Sequence, residues 1–378
     1  MTMTSTMGIP KELGTFAPAG PIGVKPDEAV PLYVHSAADV RVRPVRWLWN
    51  QRLPIGKLVM LAGEPGLGKS RVTDSLAAIV SRGGSWPAGE GRCEQGDVLI
   101  ASFEDDEDDT TVPRLMAENA NLSKIHLLQG VPDPNGRRGF NINMDVDRLD
   151  RHMELYPNTR LLIVDPISAA MAGTDTHKNA DVRSALSPMV EVARRRHVCI
   201  VAITHFNKGI GAKAIHRIIG SIALAAAART AYAVVRDEDD PERKRRLMLP
   251  VKNNLGDDKS GLSFTTRMVC IQDDAGTDIW TPTIQWGDET VQNDIDDSME
   301  PQGEDQGKLA EAKQFLAKML AGGPVDTVQL KKDTEGAGLT WATVRRAKDK
   351  MKVHAGKADF DGSWQWSLPA QQDRYDNR

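Results

Sequence analysis

A short apolar strand that runs into a glycine-rich loop and then into a helix leaves a chain few folds to choose from. Leu58-Val59-Met60-Leu61-Ala62 is such a strand, Gly63-Glu64-Pro65-Gly66-Leu67-Gly68-Lys69-Ser70 is the loop, and residues 70–81 carry apolar side chains at helical spacing. The spacing G-x-x-x-x-G-K-S is that of a phosphate-binding loop, in which glycines let the backbone N–H groups turn inward around a triphosphate seated on a helix N-terminus. The candidate nucleotide contacts are Gly63, Glu64, Pro65, Gly66, Leu67, Gly68, Lys69, Ser70 and Arg71. Lys69 is expected to neutralise the β- and γ-phosphates of ATP, and the Ser70 hydroxyl to ligate Mg²⁺.

The chain has 378 residues, 40% of them hydrophobic, enough for a substantial core and for about two folded units. Cys93, Cys199 and Cys270 lie far apart without a C-x-x-C spacing, which argues against a disulfide framework or a zinc site and for a reducing cytoplasm. No apolar run of about 18 residues is present. The first 26 residues lack the charged-then-apolar order of a secretory leader, so membrane and export readings are set aside. With a formal net charge of −4 the molecule as a whole is no polycation, and any contact with nucleic acid must be local.

Residues 1–44, rich in Pro, Gly, Thr and Ala without a period, read as a disordered arm. From 45 to 286, strand-like runs at 98–103, 160–164, 198–203, 231–235 and 247–251 alternate with helical stretches, the pattern of an α/β domain with a mainly parallel sheet. Residues 236–246, acidic and then basic around Pro241, read as an exposed hairpin tip. Residues 287–305 are acidic and poor in bulky side chains, and read as a linker. A small unit is expected at 306–370, followed by a tail at 371–378. It comprises a helix at 308–320, a helical stretch at 325–334, a third helix at 341–351 capped by Thr340, and a hairpin turning at Asp361-Gly362. That order is the order of a winged helix-turn-helix.

Phosphoryl transfer needs a metal, a water and the developing charge each to be positioned. Arg160-Leu161-Leu162-Ile163-Val164-Asp165 ends an apolar strand in an acid, and Asp165 is the candidate second group on Mg²⁺. Val98-Leu99-Ile100-Ala101-Ser102-Phe103-Glu104 also ends at a carboxylate. Glu104 is the candidate general base, with the acids that follow it to Asp109 as competitors for the role. A third strand ends at Thr204-His205, where His205 is placed to touch the γ-phosphate.

These motifs, together with Gly220-Ser221-Ile222 and Arg229, resemble the RecA-like ring helicases of the RepA type and the related DnaB family over residues 45–285. The resemblance implies a RecA-like phosphate-loop core and an ATP site between adjacent subunits of a homo-oligomer, expected to be a hexamer. It also implies a trans arginine at Arg229 and a weaker second trans element at Lys252, where Asn254 stands in the place of an arginine. It puts a central-pore loop for single-stranded DNA at 207–217, with Lys208, Lys213 and Arg217 meeting phosphates without reading sequence. In the C-terminal unit the third helix would present Arg345, Arg346 and Lys348 to duplex DNA, unless the winged helix docks protein instead. The implied activity is an ATP-dependent DNA helicase or translocase. A non-translocating ATPase switch of the RadA or KaiC kind, and an ATP-gated interaction protein, remain alternatives.

Overall fold

The computed structural model describes residues 36–134, 136–175, 178–205, 224, 227–237, 240–258, 260–292, 295, 305–357 and 364–369. The chain divides into two compact units, 1–44 and 45–378. Within the described part of the first, one tight turn spans Ala37–Asp39.

The second unit opens with a small hairpin of β1 (Trp47–Trp49) and β2 (Leu53–Pro54), then β3 (Leu58–Gly63) and α1 (Lys69–Arg82). There follow β4 (Asp97–Ser102), α2 (Val112–Ala117), β5 (Ile125–Leu127), the pair β6 (Val131–Asp133) and β7 (Gly136–Arg138), α3 (Ile142–Leu155), β8 (Thr159–Asp165), α4 (Ile167–Ala170), α5 (Asn179–Arg196) and β9 (Cys199–His205). Four further strands are β10 (Thr230–Arg236), β11 (Arg246–Asn253), β12 (Gly261–Gln272) and β13 (Asp278–Val291). They form a nine-stranded sheet in the order β13-β12-β11-β10-β3-β9-β8-β4-β5. The six strands from β10 to β5 pair in parallel, and β11, β12 and β13 extend the sheet antiparallel. This is a mixed α/β fold with a mostly parallel central sheet, as the alternation of runs leads one to expect.

Parallel strands buried on both faces read as continuous apolar runs, and β3 and the first five residues of β9 are buried throughout. On one face Leu58, Met60 and Ala62 pack with Leu149, Met153, Leu186 and Met189 of α3 and α5. On the other, Val59, Leu61, Tyr232, Val234 and Phe264 pack with Val72, Leu76 and Ile79 of α1.

The β1–β2 hairpin is tied in by a half-buried ion pair. Arg52, 4% exposed, donates from Nε and Nη2 to the two Glu90 oxygens at 2.6 Å each, and Trp49 Nε1 donates to Glu90 at 2.7 Å. Burial works against the charge of Arg52, but its hydrogen bond to Glu90, together with the charges of Tyr232 and Glu90, more than restores it. Glu90→Ala strands that guanidinium, and is expected to cost about 3–5 kcal/mol; a thermal unfolding midpoint within a degree of wild type would show the pair to be idle.

Toward the C-terminus lie α6 (Asp305–Leu320), β14 (Val325–Asp326), α7 (Thr327–Gly336), α8 (Trp341–Lys350), β15 (His354–Lys357) and β16 (Trp364–Ser367), the strands forming an antiparallel sheet in the order β14-β16-β15. They share a core of their own, with Leu316, Leu320, Leu330, Val344, Ala347 and Trp366 buried.

The structure moves three expected boundaries. β13 runs to Val291, where it pairs with Gly261, so residues 287–291 are strand rather than linker. Val325 and Asp326 pair with Trp366 and Gln365 as a strand instead of starting a helix, and Asp326 caps α7 by accepting from Val328 N at 2.8 Å. Trp47–Trp49 and Leu53–Pro54 form a hairpin ahead of β3. Thr340 caps α8 as expected, accepting from Thr343 N at 3.2 Å, and Arg236 pairs across from Arg246 at the base of the expected hairpin. The turn at Asp361-Gly362 lies outside the described residues. Among the described residues no helix is long and apolar enough to cross a membrane.

Candidate functional site

Four strand ends converge at one edge of the sheet. β4, β8, β9 and β3 are neighbours in that order, with Ser102 level with Asp165, Val164 with Ala202, and Gly63 with His205. The parallel arrangement therefore delivers Glu104, Asp165, His205 and the phosphate loop to the same end of the sheet, the carboxyl ends where ligands of open α/β sheets bind.

The loop needs its glycines at specific places. A Cβ on Gly63 would stand 2.7 Å from the Val234 carbonyl oxygen of β10, and Gly68, the residue before α1, has φ +90°. Lys69 is 5% exposed, and its Nζ donates to the Gly63 and Glu64 carbonyls at 3.0 and 2.9 Å, folding back over the loop. Burial lowers its pKa, against the pull of Asp165, Glu104 and Glu64.

Ser70 and Asp165 are neighbours, the Ser70 hydroxyl lying close enough to favour the ionised Asp165 carboxyl. Burial, reinforced by Glu104 and Asp105, pushes the Asp165 pKa up to about 6, while Ser70 and Lys69 oppose the shift. A carboxylate crowded by others and coupled to a hydroxyl suits a divalent cation. Among the described residues no three His, Cys, Asp or Glu side chains form a metal cage.

The acidic run after β4 sorts itself by its partners. Asp105 accepts from Arg114 Nη1 of α2 at 2.6 Å, Glu107 accepts from Gln129 at 2.5 Å, and Asp109 accepts from the neighbouring Thr110 hydroxyl at 2.6 Å. Asp106 and Asp108 are exposed. Glu104 faces the site, its Oε2 4.0 Å from His205 Nε2. His205 is held toward the neutral form by burial and by Lys69, against Glu104, and its Nδ1 is buried without a hydrogen-bond partner among the described residues.

Arg229 and Lys252 sit elsewhere. Arg229 N donates to the Leu58 carbonyl at 3.2 Å, at the start of β3, so the exposed Arg229 lies at the opposite end of the sheet from its own phosphate loop. The five-residue rise from Leu58 to Gly63 separates them by about 16 Å of strand. Lys252, on β11 opposite Ala231, donates to the Ala228 carbonyl at 2.7 Å, and its pKa is lowered by burial and by the charges of Arg229 and Arg183. Arg183 was not singled out in the sequence, because a lone arginine in the first turns of a helix has no distinguishing spacing. Lys208, Lys213, Arg217 and Gly220-Ser221-Ile222 lie outside the described residues.

In the C-terminal part Arg345 is exposed on α8 and Arg346 is half-buried. Lys348 Nζ lies 5.5 Å from the centre of the Trp366 ring and 3.1 Å from Asp349, so its charge rests against the small core.

A family model described as an AAA domain matches residues 26–210, a span that takes in the phosphate loop, Glu104, Asp165 and His205. Among solved structures, the chain is similar to one whose title describes an "ATPase Domain", with a TM-score of 0.41 and 13% sequence identity, covering 55% of this chain and 81% of that chain. No curated protein matches. The α/β fold, the phosphate loop and the family match together support a nucleotide-binding ATPase domain.

Proposed function

We propose that this chain is a DNA helicase or translocase that hydrolyses ATP at junctions between copies of itself, as in ring-forming relatives of the RepA type, with a role in replication. The observation that carries the reading is the placement of Arg229 and Lys252, a cationic pair remote from the phosphate loop of its own subunit, with Arg229 exposed at the far sheet end and Lys252 half-buried beside it. A second copy set head to tail would bring that pair to the open side of the first copy's triphosphate, and a ring of six closes such a contact.

In this site Lys69 and the loop N–H groups hold the triphosphate. Ser70 and Asp165 would hold magnesium, which neutralises charge shared by the β- and γ-phosphates. Glu104 takes the proton of the attacking water, and His205 reads the γ-phosphate and leads directly into residues 206–223, which contain the basic loop proposed to meet single-stranded DNA. The order α6-β14-α7-α8-β15-β16 supports a winged helix for the C-terminal part, with Arg345, Lys350 and Lys352 as the exposed cations on or just beyond α8.

The test pairs two assays on the full chain: ATP turnover with and without single-stranded DNA, and strand displacement on a forked duplex. Stimulated turnover with displacement is the expected result. Stimulation without displacement replaces the translocase by a switch, and no response to DNA refutes the reading. In the same assay Arg345→Glu is expected to weaken duplex binding while leaving DNA-independent turnover intact.

A further inference from the structure

The γ-phosphate end of the site is built by β4, β8 and β9, which all lie on one side of the phosphate loop. The rest of a bound nucleotide must leave on the other side, toward β10, β11 and β12. Register shows which side chains it meets there. Val234 of β10 is level with Gly63, so Arg236 stands two residues beyond the loop on the same face as Val234, the face that packs α1. Arg246 of β11 lies directly across from Arg236, and Phe264 of β12 directly across from Arg246. From the helix side, the Arg71 Nη1 comes within 3.6 Å of where a Cβ on Gly68 would stand, and the Phe264 ring within 3.7 Å of the same point. Three guanidinium groups therefore surround one mouth of the loop.

Among the described residues no carboxylate is hydrogen-bonded to any of the three. Like charges placed directly opposite on paired strands are destabilising, yet Arg236 and Arg246 are so placed. Among the described residues the Nε atoms of Arg71 and Arg246 are buried with no hydrogen-bond partner, and a single Nη of Arg246 reaches the Thr266 hydroxyl at 3.0 Å. Burial, and then the charge of Arg71 and Arg236, lowers the pKa of Arg246. Of the two carboxyl groups near Arg71, Asp105 is already engaged by Arg114 at 2.6 Å. The other, Asp74, is pushed by burial toward its neutral form. Uncompensated, half-buried guanidinium groups are costly unless an anion completes them.

We propose that Arg71, Arg236 and Arg246 form a second anion-binding group beside the phosphate loop, which receives the α-phosphate end of the bound nucleotide. This rests on the phosphate-loop reading and deepens it. Nucleotide affinity is carried at both ends of the phosphate chain, and nucleoside diphosphate is gripped as firmly at this group as triphosphate. Charge-assisted contacts to phosphate, rather than contacts to the base, dominate recognition here.

Calorimetric titration of ATP, ADP and tripolyphosphate into the full chain with magnesium tests it, using Arg71→Gln, Arg246→Gln and, as a variant of an exposed side chain whose folding is safe, Arg236→Gln. Each of the first two is expected to weaken all three ligands by about 10-fold or more, and the salt dependence of binding to become shallower. Three results overturn the proposal: unchanged affinities, a loss confined to ATP, which moves the contact to the γ-phosphate, or a loss that spares tripolyphosphate, which moves it to the ribose and base. If Arg71→Gln or Arg246→Gln fails to give wild-type circular dichroism, Arg236→Gln decides by the same three criteria. Lys69→Ala separates this from failure of the phosphate loop itself: wild type and Lys69→Ala binding alike, or wild type binding nothing, refutes the loop reading and this group with it.

Discussion

Arg229→Ala is expected to reduce ATP turnover by about 10³-fold or more, the range associated with a cation supplied to developing charge on the γ-phosphoryl group, while ATP binding stays close to wild type. The expectation follows from position. Arg229 is bonded through its backbone to Leu58 at the start of β3, and the loop it would serve begins after Gly63 at the other end of that strand. Its side chain is remote from its own triphosphate, so an effect on turnover is expected to come through a neighbour. Mixing sharpens the test. Arg229→Ala and Lys69→Ala chains are each expected to be inactive alone. Combined, they create junctions in which an intact Lys69 faces an intact Arg229, and turnover should return in part. Wild-type turnover by the purified Arg229→Ala chain, or no recovery on mixing two folded variants, would remove the shared site.

Glu104→Gln is expected to lower turnover by about 10²- to 10⁴-fold, the usual contribution of a positioned general base, with ATP affinity unchanged or improved because a carboxylate no longer faces the triphosphate. Asp105→Asn is the informative companion. Asp105 already accepts a hydrogen bond from Arg114, which ties it to α2 and makes it a poorer base; its loss should disturb the loop that carries Glu104 and reduce turnover less. A reversed order, with Asp105→Asn inactive and Glu104→Gln active in single-turnover measurements, would reassign the base.

The legible parts of this molecule were those in which neighbouring residues are also neighbours in space. The phosphate loop is contiguous, its glycines answer to a local backbone demand, and the buried parallel strands announce themselves as unbroken apolar runs. Glu104, Asp165 and His205 could be read because each closes such a run. The long β12–β13 hairpin was not read, because its strands mix polar and apolar residues: the outer half of the ribbon leaves Met268 and Trp280 exposed, and Thr281 and Thr283 are buried beside α2, where Glu118 accepts from the Thr283 hydroxyl at 2.6 Å. The acidic Asp288-Glu289 stretch resembled a linker until Val291 paired with Gly261. Val325 and Asp326 became a strand only because β16 lies beside them.

The chemistry of the loop was therefore written locally, in residue types at set spacings that constrain the backbone wherever the segment is placed. Which distant side chains meet around it was settled by folding. Arg236 faces Arg246 across a hairpin, Asp105 meets Arg114 from α2, and Arg229 is held at the far end of β3. Such meetings depend on sheet order and strand register, whose energies come from pairing segments far apart in the chain and leave no period or spacing in either segment alone.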